Sequence, residues 1–297
     1  MISGNRTVKT ILLLVLLSTV WLGGCAVKRA KPLSQPRQQA LQHNRLGIEA
    51  AARGDRGKAL SEFSEALRLQ SSIDNSEGMI VALVNSARIQ RLQGDLQSAR
   101  QSVERALSLS SGSFIFGSEL FYEKAKVLSA AGDLTAALEW GVRAEAAEQG
   151  EARGRRQNLV ALLLLRQGFP DQAKERLEQA LQLNRKARMS AEEANSQRLL
   201  GEIHLVQGSY DKSGASYQEA LILDKALGLG ARIAADLSGL GAVTARKGDI
   251  PGAIDWYQRS LEVSRNGGDK ESAAATTAEL AHLYRLNGRK AEKTEKD

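Results

Sequence analysis

Small and large apolar residues recur along this chain in a register set by glycine. Gly54, Gly94, Gly132, Gly168, Gly208, Gly248 and Gly288 end helical segments at spacings of 40, 38, 36, 40, 40 and 40 residues. Seven residues before them stand Gly47, Ala87, Ala125, Ala161, Gly201, Gly241 and Ala281. Five residues after the first six stand Ala59, Ala99, Ala137, Ala173, Ser213 and Ala253, and twelve after them Ala66, Ala106, Ala144, Ala180, Ala220 and Ser260. Bulk enters between these small positions at Phe63, Val103, Leu177, Tyr217 and Tyr257, and leucines follow at Leu67, Leu107, Leu181, Leu221 and Leu261. Small residues let paired helices approach while the large ones fill the space between neighbours, so the pattern predicts a stack of helical hairpins.

The turns between helices carry their own signals. Gly54-Asp55, Gly94-Asp95, Gly132-Asp133 and Gly248-Asp249 pair a glycine suited to close one helix with an aspartate suited to cap the next. Pro170 and Pro251 fall in the first turns of second helices, where a missing N–H costs nothing. The spacing predicts six hairpins over 40–73, 80–113, 118–151, 154–187, 194–227 and 234–267, then a solitary capping helix over 270–287 and a disordered tail over 291–297. Repeat three has Gly141 and Glu145 where bulk and leucine belong, which predicts a displaced hairpin or a bend.

Leu46-Gly47 with Ala59 and Phe63, Leu200-Gly201 with Tyr217, and Leu240-Gly241 with Ala253 and Tyr257 resemble the tetratricopeptide repeat, whose pattern runs Leu-Gly, Tyr, Ala-x3-Phe, Ala. The resemblance extends over 40–290 and departs from the family in lacking the closing proline and in its longer period. It implies an all-α fold, a right-handed α-solenoid of helix–turn–helix repeats whose first helices line a concave groove. It also places on the groove face the positions ten, six and three before each closing glycine, among them Arg88, Arg91, Tyr122, Lys126, Asn158, Leu162, Arg198 and Glu202. Arg88, Arg91, Lys126 and Arg198 would then hold carboxylates of a bound peptide, and Tyr122, Leu162 and Leu165 would meet its apolar side chains. Plain solvated helix faces are the alternative for any one of these positions.

Ahead of the repeats, Arg6 and Lys9 precede the 12-residue apolar run Ile11–Leu22, which ends in Gly23-Gly24-Cys25. Charge, run and small residues make a secretory signal. As a helix the run covers roughly 18 Å, short of the ~30 Å hydrocarbon core. Leu22-Gly23-Gly24-Cys25 resembles the lipobox of bacterial lipoproteins. That resemblance implies removal of residues 1–24, a diacylglycerol on the Cys25 sulfur and usually an acylated amino group; ordinary cleavage near Gly24 is the alternative. Two or three acyl chains, at ~0.8 kcal/mol per buried CH₂, make a lasting membrane anchor where one does not. Ala26, in place of the aspartate that favours inner-membrane retention, implies the outer membrane, facing the periplasm, in a Gram-negative host. Residues 25–39, with Lys28, Arg29, Lys31, Arg37, Pro32 and Pro36, read as an extended basic tether that rests on anionic headgroups. Cys25 is the sole cysteine, so disulfides within the chain are excluded.

Composition then removes whole classes of function. The 297 residues carry a net charge of +7, but six bases and no acid lie in residues 1–39, leaving thirty-five bases against thirty-four acids in the body. Near-neutrality of the body argues against nucleic-acid binding. Aromatic residues at 4% and four prolines favour long helices over β-sandwiches. His43, His204 and His282 lack metal-pair spacing. Glu202 and His204 diverge by about 200° on one helix. Gly228-Leu229-Gly230 and Gly239-Leu240-Gly241 imitate part of a dinucleotide loop without a strand before them. No catalytic residue, no metal, no small-molecule substrate and no cofactor beyond the Cys25 lipid is expected, and the chain reads as a non-enzyme.

Together these features predict a membrane-anchored scaffold or adaptor that binds a protein or peptide in its groove within the bacterial cell envelope. A pilotin-like assembly factor for a pilus or secretion machine is the second reading. A non-catalytic subunit of an envelope enzyme complex is the third.

Overall fold

The computed structural model describes residues 33–110 and 116–294. The signal segment 1–24, Cys25 and the first part of the tether lie outside the described residues, and the lipobox reading with them. Thirteen helices follow one another among the described residues: α1 (Gln35–Ala52), α2 (Arg56–Ser72), α3 (Ser76–Leu92), α4 (Leu96–Leu109), α5 (Gly117–Ala130), α6 (Leu134–Ala147), α7 (Arg153–Arg166), α8 (Pro170–Lys186), α9 (Ser190–Val206), α10 (Tyr210–Ala226), α11 (Gly230–Arg246), α12 (Ile250–Asn266) and α13 (Lys270–Thr294).

Local chemistry fixes the period. A 17-residue helix and a three-residue linker, taken twice, give the 40-residue spacing of the outer repeats. In the middle, α4 to α7 are 14 residues each, about one helical turn shorter, and the longer linkers 110–116 and 148–152 restore part of that loss, which gives the 38- and 36-residue spacings. The three-residue linkers each reverse the chain through one residue of positive φ. Gly54 at 80° and Gly94 at 83° are typical, and Asp74 at 51° and Arg188 at 55° show a side chain tolerated at the same point. The aspartates act as caps: Asp55 accepts from the Lys58 N–H at 3.0 Å, Asp95 from Ser98 at 3.0 Å and Asp249 from Gly252 at 2.9 Å.

Packing follows the small–large register. Ala59, Ala99, Ala137, Ala173, Ser213 and Ala253 are fully buried, and Phe63, Val103, Leu177, Tyr217 and Tyr257 fill the space beside them. A Cβ added at Gly201 would stand 2.9 Å from Tyr217 Cδ2, and one at Gly241 2.8 Å from Tyr257 Cδ2, so these glycines exist to admit a ring. Tyr217 also lies against Gly239, which explains a glycine pair that otherwise imitates a nucleotide loop. Burying each large side chain contributes roughly 1.5–3 kcal/mol, repeated from hairpin to hairpin.

First helices touch first helices across the repeats, α1 with α3, α3 with α5, α7 with α9, α9 with α11 and α11 with α13. The second helices pack on the first helices that flank them, so the first helices occupy the inside of the curve. Between α5 and α7, long side chains bridge the surfaces: Arg155 and Arg156 of α7 both lie 4.4 Å from the Tyr122 ring of α5.

Several boundaries differ from the sequence expectation. The tether is not extended throughout, since α1 begins at Gln35, with Pro36 in its first turn and Ala40 buried. Gly288 does not take the left-handed conformation, and α13 runs through it to Thr294. Residues 291–294 are thus helical rather than tail. In repeat three, Glu145 is buried and accepts from Arg176 Nη1 at 2.8 Å and Gln157 Nε2 at 3.1 Å, so a charged network replaces the leucine. Val160 and Leu163 of the next helix supply the bulk opposite Gly141.

Candidate functional site

The concave face is built from side chains that α1, α3, α5, α7, α9, α11 and α13 turn inward, and its charges are organised between repeats. Glu123 on α5 is fully buried and accepts from Arg91 Nε at 2.7 Å and Arg88 Nε at 3.5 Å. Glu119, one turn earlier, pairs with Arg88 and accepts from Arg156 Nη2 at 2.6 Å, with Arg155 Nη1 at 3.7 Å. Burial alone would raise the Glu119 pKa, but Arg156, Arg155 and Arg88 outweigh it and hold the carboxyl below its ordinary range. Arg88 and Arg91 are therefore not free to receive a peptide carboxylate. Their partners sit one repeat further on, 31 to 35 residues away, so residues that look basic in isolation form a nearly neutral lattice.

Arg198 and Asn158 are likewise committed. Arg198 on α9 pairs with Asp224 of α10 and donates through Nε to Asp236 of α11 at 2.7 Å, both aspartates being fully buried. Burial pushes Asp236 up to about 6 despite its bond to Arg198. Asn158, 2% exposed, donates to the Glu192 carbonyl at 3.0 Å and accepts from Ser196 Oγ at 2.7 Å, which places it inside the α7–α9 interface and not on the groove. Tyr122 is buried beneath Arg155 and Arg156, and burial raises its phenol.

What remains available is more selective than a basic patch. Among the described residues, Lys126 has no carboxylate within ion-pair distance, and its Nζ lies 5.3 Å from the Tyr122 ring centroid. Burial lowers its amine to about 8, with Arg91, Arg155 and Arg88 adding to the fall and Glu123 opposing it. Leu162 and Leu165 stand half-buried on the next first helix, α7. Glu202 on α9 reaches solvent within the curve; desolvation by the surrounding walls raises its carboxyl, and Arg166 counters only in part. A cleft of about 400 Å³ beside it is lined by Arg198, Tyr217, Ser238, Tyr257 and Glu279. Glu279 also has no cation within ion-pair distance among the described residues.

Arg155 and Glu279 were not evident from the sequence. Arg155 falls outside the positions that the repeat register assigns to the groove. Glu279 stands nine residues before Gly288, outside those positions as well. Trp140 lies 5.3 Å from the Phe121 ring, with Lys124 Nζ 4.0 Å from its own ring, and Trp256 carries Arg259 at 4.3 Å. His43 pairs with Glu62 at 2.7 Å. His204 has a buried, unpartnered Nδ1, and burial with Lys174 and Lys212 lowers its pKa.

Comparison with known proteins places this geometry. Residues 192–266 match the family model of the tetratricopeptide repeat. No curated protein sequence matches the chain. Among solved structures, it is similar to a Rap protein complexed with Competence and Sporulation Factor, at 12% identity and a TM-score of 0.66 over 88% of this chain and 74% of that one. It is also similar to Pseudomonas aeruginosa pilF, at 17% identity and a TM-score of 0.56 over 83% of this chain and all of that one. A tetratricopeptide repeat protein from Parabacteroides merdae matches at 16% identity and a TM-score of 0.53, over 83% and 93% of the two chains. The fold is a tetratricopeptide-repeat solenoid, and residues 192–266 carry the sequence signature of that family.

Proposed function

We propose that the protein is a membrane-anchored adaptor that holds an extended segment of a partner protein along its concave face. One observation carries this reading: the groove cancels most of its own charge internally and leaves Lys126 and Glu202 unpaired on either side of an apolar stretch at Leu162 and Leu165. A segment with a carboxylate, an apolar side chain and a basic group in that order matches this arrangement. The Rap neighbour is complexed with another molecule, so a solenoid of this kind accommodates a ligand. Lipidation at Cys25 would hold the groove against the envelope, in the periplasm of a Gram-negative host, with the basic residues of the tether close to the headgroups.

The test is a photo-crosslinking side chain at Leu162 in the native host, compared with one at Gln101 on the second helix α4. A discrete crosslinked partner from position 162 and none from 101 supports the reading. The reverse pattern places recognition on the convex surface and overturns it.

A further inference from the structure

The cleft beside Glu202 is built from three first helices of the concave face and two rings that reach it from behind. Its floor is α11, which presents only Ala235, Ser238, Gly239 and Ala242 there. Longer residues of the flanking first helices make the walls, Arg198 and Glu202 of α9 on one side and Glu279 of α13 on the other. The Tyr217 ring of α10 comes through at Gly239, where a Cβ would collide with it, and Tyr257 of α12 enters past Gly241. These groups leave hydrogen-bonding capacity and charge unused. Tyr217 and Tyr257 are 6% and 7% exposed, and neither hydroxyl has a hydrogen-bond partner among the described residues. Hydroxyls buried to that degree call for a partner in the space they face. Burial raises both phenols, with Glu202 and Asp236 acting on Tyr217 and Glu279 on Tyr257, so each keeps its proton and offers oxygen lone pairs. Glu202 and Glu279 add two carboxylates without a cation in ion-pair distance. Arg198 does not offset them, because Asp224 and Asp236 already hold its guanidinium. Arg166 counters the rise at Glu202 only in part, and Arg246 shares the adjoining hollow with Glu279 without pairing with it.

We infer that this cleft seats the guanidinium of an arginine side chain in the bound segment, between Glu202 and Glu279 and against the Tyr217 and Tyr257 hydroxyls. A guanidinium carries five N–H donors spread around one plane, enough to serve two carboxylates and two phenol oxygens together, and its face stacks on aromatic rings. An ammonium has three donors on a point charge and leaves part of that acceptor set unanswered. The inference rests on the groove reading for the source of the arginine, and on the cleft alone for its chemistry. It names the basic group that the proposed segment brings to Glu202 and adds Glu279 and the two tyrosines to its recognition.

The probe is the blocked tripeptide acetyl-Gly-Arg-Gly-amide, titrated into the purified chain and read by NMR from the ring signals of its five tyrosines, assigned with Tyr217→Phe and Tyr257→Phe. Saturable shifts at Tyr217 and Tyr257 are expected. Citrulline in place of arginine keeps the shape and removes the charge, and that peptide should bind at least tenfold more weakly; the lysine peptide should bind at least threefold more weakly. Glu202→Gln combined with Glu279→Gln should weaken the arginine peptide at least tenfold and leave the helical circular dichroism unchanged, since both residues are exposed. Absence of saturable shifts at the two rings, or equal binding of the citrulline or lysine peptide, overturns the inference. Free L-arginine separates the sources: its own carboxylate is repelled by the cleft, so it should bind more weakly than the tripeptide, and tighter binding assigns the cleft to a free guanidino compound and overturns the inference as well. Failure of the groove reading looks different, with no partner crosslinked at Leu162 while the arginine peptide still binds.

Discussion

Replacing Arg198 with methionine separates a structural arginine from a ligand-holding one. Its guanidinium is the cation that pairs with both Asp224, through Oδ2, and Asp236, which are fully buried between α9, α10 and α11, and Asp224 Oδ1 has no hydrogen-bond partner among the described residues. Methionine keeps most of the packing volume and removes the charge, leaving two carboxylates out of water with no counter-ion. Breaking a buried ion pair in this way costs about 3–5 kcal/mol, and protonation of one carboxylate recovers part of it. A loss of that size lowers the melting midpoint of a chain of this length by on the order of 10 °C. The pH dependence carries the diagnosis. Asp236 titrates at about 6 in the fold against an ordinary 3.8, so its ionisation costs stability in full above pH 6, and the cost fades as pH falls from 6 to 3.8. Without Arg198 the Asp236 carboxyl loses the cation that lowers its pKa and holds its proton to higher pH, so the deficit is largest at pH 8 and shrinks at pH 5. Thermal melts followed by circular dichroism at both pH values make the measurement. A variant that melts with the wild type at pH 8, or a deficit that grows on acidification, refutes the reasoning and returns Arg198 to the groove.

Asp236→Asn leaves one arginine facing one buried carboxylate, and its melting temperature at pH 7 should equal or exceed that of the wild type. Gly201→Ala should cost about 1–3 kcal/mol in chemical denaturation, because the new Cβ meets the Tyr217 ring, whereas Ala51→Ser on the groove should change stability by less than about 0.5 kcal/mol. The folded Lys126 amine titrates near 8 against an ordinary 10.5, so its charge costs stability below pH 8 and the cost fades as pH rises to 10.5. Lys126→Met should therefore stabilise the chain at pH 7 by on the order of 1–2 kcal/mol, with the gain vanishing near pH 10.5, as melts across that range will report. Cys25→Ser should move the protein from the membrane to the soluble fraction of lysed cells, and retention after a high-salt wash would count against the anchor.

The packing was legible in the sequence because it is local and repeats: a small residue at Gly201, an aromatic at Tyr217 and a turn at Gly208 lie close together along the chain and return 40 residues later at Gly241, Tyr257 and Gly248. The charges of the groove were not, because each base finds its acid one repeat away. Arg88 meets Glu123, Arg156 meets Glu119 and Arg198 meets Asp236 across 35, 37 and 38 residues. Those acids stand nine to thirteen residues before a closing glycine, outside the positions counted as groove, so only the bases were visible there. A search for opposite charges separated by nearly one period would have found the lattice. Gly288 misled for the converse reason: it keeps the spacing of the turns but lies within α13.

The claim at the centre of this account is that partner recognition runs through Lys126 and Glu202, unpaired charges of the concave face. Titration calorimetry of the partner captured from Leu162 against wild type, Lys126→Met and Glu202→Gln tests it most directly. The account predicts affinities at least tenfold weaker for both variants with undiminished helical content, and binding to the wild type that weakens as pH rises through 8, where Lys126 loses its proton. Equal affinity for all three proteins would contradict it.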